Sequence, residues 1–241
     1  MSVLLTVFKR EFLGYFRSPV AYVFIIVFLV STMALAWFVG GFFDTDDASL
    51  SRFFLFVPWI FLFLIPASGM RLWAEEKRSG TWELLFTLPI SVTQAVTAKF
   101  LAAWAFISVG IVLTFSMPLT VAYLGDPDWG PIFSGYLGCL LMAGTYLSIC
   151  SLTSSMTKNQ VISFVLSVST CLVLVLLGWS VFNDLMLAAS FPVWLVDGLS
   201  NFSFITHFEP MIRGLVTLRD VLFFVSLSAF CLCANVLILE R

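Results

Sequence analysis

Residues 53–91 read FFLFVPWIFLFLIPASGMRLWAEEKRSGTWELLFTLPIS. The first eighteen, 53–70, carry no charge. As a helix they would cross most of a hydrocarbon core about 30 Å thick. Directly beyond them Glu75, Glu76, Lys77 and Arg78 stand in a row, in a chain where only 11% of residues are charged. That junction reads as a membrane boundary, and the rest of the sequence agrees with it. Hydrophobic residues make up 61% of the 241, with 27 Phe among them, well above the roughly one half found in soluble domains. Apolar runs of this length satisfy their backbone in hydrocarbon as helices, so the fold class is an all-α integral membrane protein.

Six such runs occur, at about 19–41, 53–70, 98–124, 131–155, 159–182 and 220–239. Ser18 and Pro19 supply a cap and a first helical residue for the first. Pro58, Pro66 and Pro118 predict kinks. With six spans both termini share a side. Lys9, Arg10, Arg17, Arg71, Lys77, Arg78, Lys99, Lys158 and Arg241 fall there, against Arg52, Arg213 and Arg219 opposite. The excess places both termini in the cytoplasm. Seventeen residues, several of them charged, precede the first span, and no small-residue cleavage site follows it. The first helix is therefore expected to remain as an anchor and not to be removed as a signal. No repeat or long polar tract divides the chain, so 1–241 is expected to be one membrane domain.

Several functions are disfavoured by what the spans lack. Their interiors hold nothing more polar than Ser, Thr, Asn and Cys, and Lys99 and Asp220 fall at span ends, where a charge can reach the interface. This weighs against an ion-coupled carrier, a voltage sensor or a membrane-embedded acid–base enzyme. The single His207 rules out paired-histidine haem ligation. No phosphate-cradling GxxxxGK[ST] motif is present, so ATP and Mg are expected on a separate subunit, and this chain is expected to bind no cofactor and catalyse nothing. All five cysteines fall in apolar runs, as small packing residues do. Cys231 and Cys233, two apart, point to nearly opposite sides of a helix. Asp197, His207 and Glu209 offer too few ligands for a metal site on their own.

Three regions outside the spans have designs of their own. In residues 1–17, Leu4, Leu5, Phe8, Phe12, Leu13 and Phe16 share a broad helical face while Lys9, Arg10 and Arg17 reach outward, the pattern of a helix lying in the membrane interface. In 71–97, the charged tetrad extends the second span, Gly80 permits a turn, and Trp82, Leu84, Leu85, Phe86 and Leu88 form an apolar arc flanked by Glu83 and Thr87. A solvated connection is the plainer reading of such a charge run, but it has no need of that arc. Segment 183–219 is apolar but interrupted at Pro192, Gly198, Pro210 and Gly214, which predicts broken helices on or dipping into the outer leaflet. Within the spans, Ser163, Ser167 and Cys171 recur every four residues. Such a small stripe serves helix packing inside the chain, or else a dimer seam or substrate path.

The segments KREFLGYFRSPVAYVF (9–24), EEKRSGTWELLFTLPIS (75–91), SSMTKNQVISF (154–164) and HFEPMIRGLVTLRDVLFF (207–224) together resemble the membrane subunits of type 2 ABC transporters. Within that family they are most similar to the gliding-motility (GldF-like) permease branch. The resemblance implies six transmembrane helices, an N-terminal elbow helix at 1–17 carrying Lys9, Arg10, Glu11 and Arg17, and a cytoplasmic coupling helix between spans two and three. It also implies re-entrant extracytoplasmic helices before span six. Glu75, Glu76, Lys77, Arg78, Gly80, Thr81 and Glu83 would then lie at or beside the docking surface for a cytoplasmic ATPase dimer, with Trp82, Leu85 and Phe86 as its apolar grip. Lys158, Asn159 and Gln160 would form a second contact. A second permease chain, identical or different, membrane lipids and an envelope accessory subunit are the other implied partners, in a bacterial inner membrane; no nucleic acid is implied. The function so implied is export or envelope mechanical work driven by the ATPase. A non-transporting membrane scaffold and an ion-coupled carrier are the alternatives.

Overall fold

The computed structural model describes residues 3–41, 49–80 and 90–240. Every regular element among them is helical. Helix α1 (Val3–Arg17) is followed at once by α2 (Pro19–Ala34), which starts where Ser18 Oγ accepts from the Val20 N–H at 3.3 Å. A π-helical turn, Leu35–Val39, ends the first long segment, and the Arg52 guanidinium donates to the Gly40 carbonyl at its end. Helix α3 (Ser51–Gly69) runs into α4 (Arg71–Ser79) with one residue between them. Helix α5 (Val92–Leu113) opens on a capping box, Ser91 with Gln94, six residues before the expected span. Helix α6 (Ser116–Leu124) continues it after a break at Thr114 and Phe115. Pro118 has no N–H for the Thr114 carbonyl, which instead accepts from Met117 at 2.9 Å. The expected kink of the third span is thus a break. Pro58 and Pro66, in contrast, lie inside an uninterrupted α3.

Helix α7 (Trp129–Met156) follows a short loop whose Asp128 caps its first turn. Helix α8 (Gln160–Leu176) is capped by Asn159 and is followed by three short helices, α9 (Ser180–Ala188), α10 (Val193–Ser200) and α11 (Phe204–Ile212). Helix α12 (Leu218–Leu239) closes the chain. Among the described residues, five segments are long and apolar enough to cross a membrane, Pro19–Val39, Ser51–Ser79, Val92–Leu124, Trp129–Met156 and Leu218–Leu239, and α8 with α9 makes a sixth if the bent pair is one span.

The expected span over 159–182 is present as a bent pair of helices. Helix α8 has 17 residues, and the chain turns by 73° before α9. A side chain at Gly178, in that turn, would collide with Ser203 and Thr206. The glycine therefore lets the start of α11 close on the bend, where Ser203 Oγ donates to the Val175 carbonyl at 3.3 Å. Between 183 and 219 the helices break at Pro192 and at Gly214 (φ +89°), whereas Gly198 and Pro210 lie within helices.

Helix α7 is the hub. Of its most apolar window 72% is buried, against 22% for the first long segment and 17% for α12, and it packs on α3, α4, α5, α8, α11 and α12. Glycines make this possible, because a Cβ at Gly135 would fall 2.6 Å from the Phe54 ring of α3, and one at Gly138 would fall 2.8 Å from Phe208 of α11. Hydroxyls then bind the touching helices. Thr145 Oγ1 donates to the Phe224 carbonyl of α12 at 3.1 Å, Tyr146 to the Pro58 carbonyl at 3.1 Å, and Ser134 to the Met211 carbonyl at 2.7 Å.

Asp220, at the start of the last span, is paired and 4% exposed, accepting from Thr217 Oγ1 at 2.6 Å and lying 2.7 Å from His207 Nδ1. The other ring nitrogen of His207 lies 2.9 Å from the Asn201 carbonyl. Each ring nitrogen thus has a hydrogen-bond partner. The pair pins α11 to the first turn of α12, and no group of metal-ligating side chains occurs among the described residues. Arg219 and Arg213 pair nearby, with Asn201 and Glu209.

Replacing Gly135 with Val is expected to destabilise the protein by about 1–3 kcal/mol through overpacking against Phe54. Gly198→Ala, where nothing lies within 4 Å of the added carbon, is expected to leave stability unchanged or raise it by up to about 1 kcal/mol. Thermal unfolding in detergent reads both, and equal midpoints would show that α7 tolerates the added bulk.

Candidate functional site

The segment Ser51–Ser79 has 29 residues, which as helix is about 43 Å long, some 13 Å more than a hydrocarbon core. The excess is α4, and its beginning is the most elaborately bonded place in the molecule. Met70 offers no side-chain cap, so the first N–H groups of α4 need an outside acceptor. Ser154 of α7 provides it. Its hydroxyl accepts from the Trp73 and Ala74 N–H groups, both at 3.0 Å, and donates to the Met70 carbonyl at 2.9 Å. A residue some eighty positions downstream thus acts as the N-cap of α4.

One turn earlier on α7, Ser151 Oγ accepts from the Trp73 indole N–H at 3.2 Å and from the Asn235 side-chain amide of α12 at 2.7 Å. Trp73 is completely buried. Lys99 of α5 approaches from the other side. Its ammonium lies 4.9 Å from the centre of the Trp73 ring, donates to the Leu72 carbonyl at 3.3 Å and forms an ion pair with Glu76. Lys99 is 4% exposed, so its ammonium meets Glu76 and not solvent. Its stem is covered by α4, and the charge is neutralised within the chain.

Of the charged tetrad, then, Glu76 faces inward to Lys99, and Lys77 donates to the Ser155 carbonyl at the end of α7. Glu75 and Arg78 are exposed. Lys77 and Lys158 lie close enough to repel each other, so the tetrad and the 157–160 loop share one end of the bundle. Gly80 closes α4 with φ +73°, the left-handed conformation a glycine adopts without strain. Thr81, Trp82, Glu83, Leu85 and Phe86 lie outside the described residues. Helix α1 packs on α5, with the Tyr15 and Phe106 rings stacked at 4.9 Å. Burial beside Glu11 pushes the Tyr15 phenol well above its ordinary range, so it stays neutral. Lys9, Arg10 and Arg17 are exposed, and Glu11 pairs with Arg10 at 2.8 Å. Ser163, Ser167 and Cys171 are fully buried within the single chain, with Ser167 Oγ 2.5 Å from Thr153 Oγ1 of α7.

Of the clamp residues, Trp73, Ser151, Ser154 and Asn235 were not singled out from the sequence, and Lys99 was read only as a charge at a span end. A signal was present in the hydroxyl run at 151, 153, 154 and 155 and in the lone Asn235, since polar groups inside spans must find partners. Which partner each would find was not written there.

Long apolar helices around a glycine-bearing hub define a multi-pass α-helical membrane protein with a helical extension locked into its bundle. A family model described as ABC-2 family transporter protein matches residues 45–239, and the chain belongs to that family. Comparison with curated proteins gives no match. Membrane domains of this family are in general non-catalytic transporter subunits that work with an ATPase subunit.

Ser154→Ala leaves two buried N–H groups without an acceptor and is expected to cost about 1–3 kcal/mol. Lys99→Met, which strands Glu76, is expected to cost about 3–5 kcal/mol, with partial recovery in Lys99→Met/Glu76→Gln. Denaturant or thermal unfolding of the reconstituted protein measures both. A double variant no better than Lys99→Met alone would mean that the pair is not a coupled unit.

Proposed function

We propose that this chain, 1–241, is a single permease domain of a bacterial inner-membrane ABC exporter that passes work from a cytoplasmic ATPase dimer to its spans. The carrying observation is the clamp on α4. Through Ser154, Ser151 and Lys99, α4 is bonded to α7 and α5, and Ser151 is in turn bonded to Asn235 of α12, so a push on α4 displaces several spans together and is not absorbed by a loose loop. Rigid-body rocking of packed helices is the expected response. In this reading both termini are cytoplasmic, α1 is an elbow helix in the membrane interface, and 71–97 is the coupling region. Helices α9 to α11 lie in or against the outer leaflet as re-entrant elements.

Glu75 and Arg78, exposed on α4, orient the docked ATPase, together with Gly80, Thr81 and Glu83 and the apolar Trp82, Leu85 and Phe86. Lys158 adds a second contact at the same end. Two permease chains, identical or different, complete the assembly, with an envelope accessory subunit as a further partner. The branch is GldF-like. The cargo is amphiphilic, polymeric or lipid-linked, or the output is mechanical work on the envelope. The buried Lys99 and His207 are each paired inside the chain, which supports a structural use of these charges over an ion-coupled carrier.

The test is to purify the chain with a candidate ABC ATPase from the same organism and to compare complex yield and stimulated hydrolysis in Arg78→Glu and Glu83→Lys. Loss of a charge-assisted contact at the docking surface is expected to weaken association roughly tenfold in each. Unchanged complex and hydrolysis in both would show that α4 and the segment after it are not the docking surface.

A further inference from the structure

A cavity of about 520 Å³ lies between α1, α2, α3, α4 and α5, on the side of α4 away from α7. Its lining is of two kinds. Val20, Val23 and Val27 of α2 form one wall, and all three are also exposed, so the wall is continuous with the outward apolar face of that helix. Phe24 and Phe106 are its buried aromatic lining. The charged part is Glu11 from α1, Arg71, Glu75 and Glu76 from α4, and Lys99 from α5. An apolar wall open to the membrane side beside a zwitterionic lining matches an amphiphile and not a soluble ion.

The charges can be assigned further. Lys99 is taken by one oxygen of Glu76, and Glu11 by Arg10. The second oxygen of Glu76, Oε2, is buried with no hydrogen-bond partner among the described residues. Neither Arg71 nor Glu75 belongs to an ion pair among the described residues. What is left over is a guanidinium, an exposed carboxylate and a buried acceptor that requires a donor. A phosphate suits Arg71, bidentate where the geometry allows. A primary ammonium suits Glu75 and Glu76 Oε2, because it brings both positive charge and N–H donors. A trimethylammonium brings the charge but no donor.

We infer that this cavity is a headgroup site for an aminophospholipid of the phosphatidylethanolamine type, with its phosphate at Arg71, its ammonium between Glu75 and Glu76, and its acyl chains along Val20, Val23 and Val27. The site rests on the placement of α1 and α4 at the membrane surface proposed above. A lipid held there would couple α1 to α4 through its own charges, so the site is an interface between the elbow and the helix that the ATPase is proposed to push.

The experiment uses the full chain in detergent, offered an equimolar mixture of dioleoyl phosphatidylethanolamine, phosphatidylcholine and phosphatidylglycerol, with bound lipid counted by native mass spectrometry. No ATPase is needed, so the outcome is separate from that of the docking test. The ethanolamine lipid is expected to be retained roughly tenfold over the choline lipid, the size of one lost charge-assisted hydrogen bond. Arg71→Gln/Glu75→Gln is expected to abolish that preference, while Arg71→Lys keeps most of it; the single Glu75→Gln serves where the double variant lowers the melting temperature. Free phosphoethanolamine, lacking chains, is expected not to displace the lipid. Equal retention of ethanolamine and choline lipids would overturn the assignment. So would a preference for the glycerol lipid, displacement by the free headgroup, or a preference that survives the substitutions in a folded variant.

Discussion

A backbone N–H at the start of a helix needs an acceptor, and inside a packed membrane bundle water cannot be counted on to supply one. At the start of α4 that acceptor is a single hydroxyl, Ser154, borrowed from α7. The consequences spread from there. Because Ser154 also donates to the Met70 carbonyl, the joint between α3 and α4 is tied to α7 on both of its sides. Because Trp73 must come close for its N–H to reach Ser154, its indole is carried to Ser151, and Ser151 in turn holds Asn235 of α12. Lys99 then closes over a face of the same ring. Four helices meet around one tryptophan, and none of the contacts depends on apolar contact alone.

The hub helix shows the complementary device. Apolar contact in a lipid environment gives little preference for one helix neighbour over another, since the tails are as apolar as leucine. Specific approach needs shape, and α7 supplies it as missing side chains. Gly135 admits Phe54, Gly138 admits Phe208 and Gly144 lies against Trp104, whose indole N–H reaches the Leu140 carbonyl at 2.9 Å. From the neighbouring helix, Gly69 of α3 closes on Cys150, where a Cβ would meet the cysteine Cβ at 2.6 Å. Aromatic bulk on one side is matched to absent bulk on the other, and Ser134, Thr145 and Tyr146 fix the register once contact is made.

Much of this architecture was legible in the sequence. Span count and placement follow from runs of apolar residues, because the thickness of a bilayer sets a length that a helix must meet. Ser18, Gly80 and Pro118 could be read locally, since capping, left-handed turns and the missing proline N–H depend on near neighbours. The failures share a cause. The bend after α8 depends on Ser203 and Thr206 arriving at Gly178 from more than twenty residues away. Lys99 looked like an end-of-span charge because its cover, α4, comes from another part of the chain. The clamp was invisible for the same reason, as Ser151, Ser154 and Asn235 are unremarkable until their partners are known. What periodicity cannot express is which helix stands opposite which.

The two buried charge pairs show where this chain places ionic interactions. Lys99 and Glu76 join α5 to α4; His207 and Asp220 join α12 to α11. In each case one partner belongs to a helix long enough to cross a membrane and the other to a short helix attached at one end of the bundle. Between spans, among the described residues, the work falls to glycine, hydroxyls, one asparagine and the Trp104 indole. The distinction follows from cost. A buried ion pair gains little net stability over a well-packed apolar contact, yet breaking it strands a charge. Such a pair is poor glue but a strong constraint on geometry, suited to fixing the orientation of a short element. Helix α4 has only nine residues and α11 also nine, less than three turns each. Their positions are therefore set by directional bonds to a spanning helix, and a force applied to either is delivered to that helix with little slack.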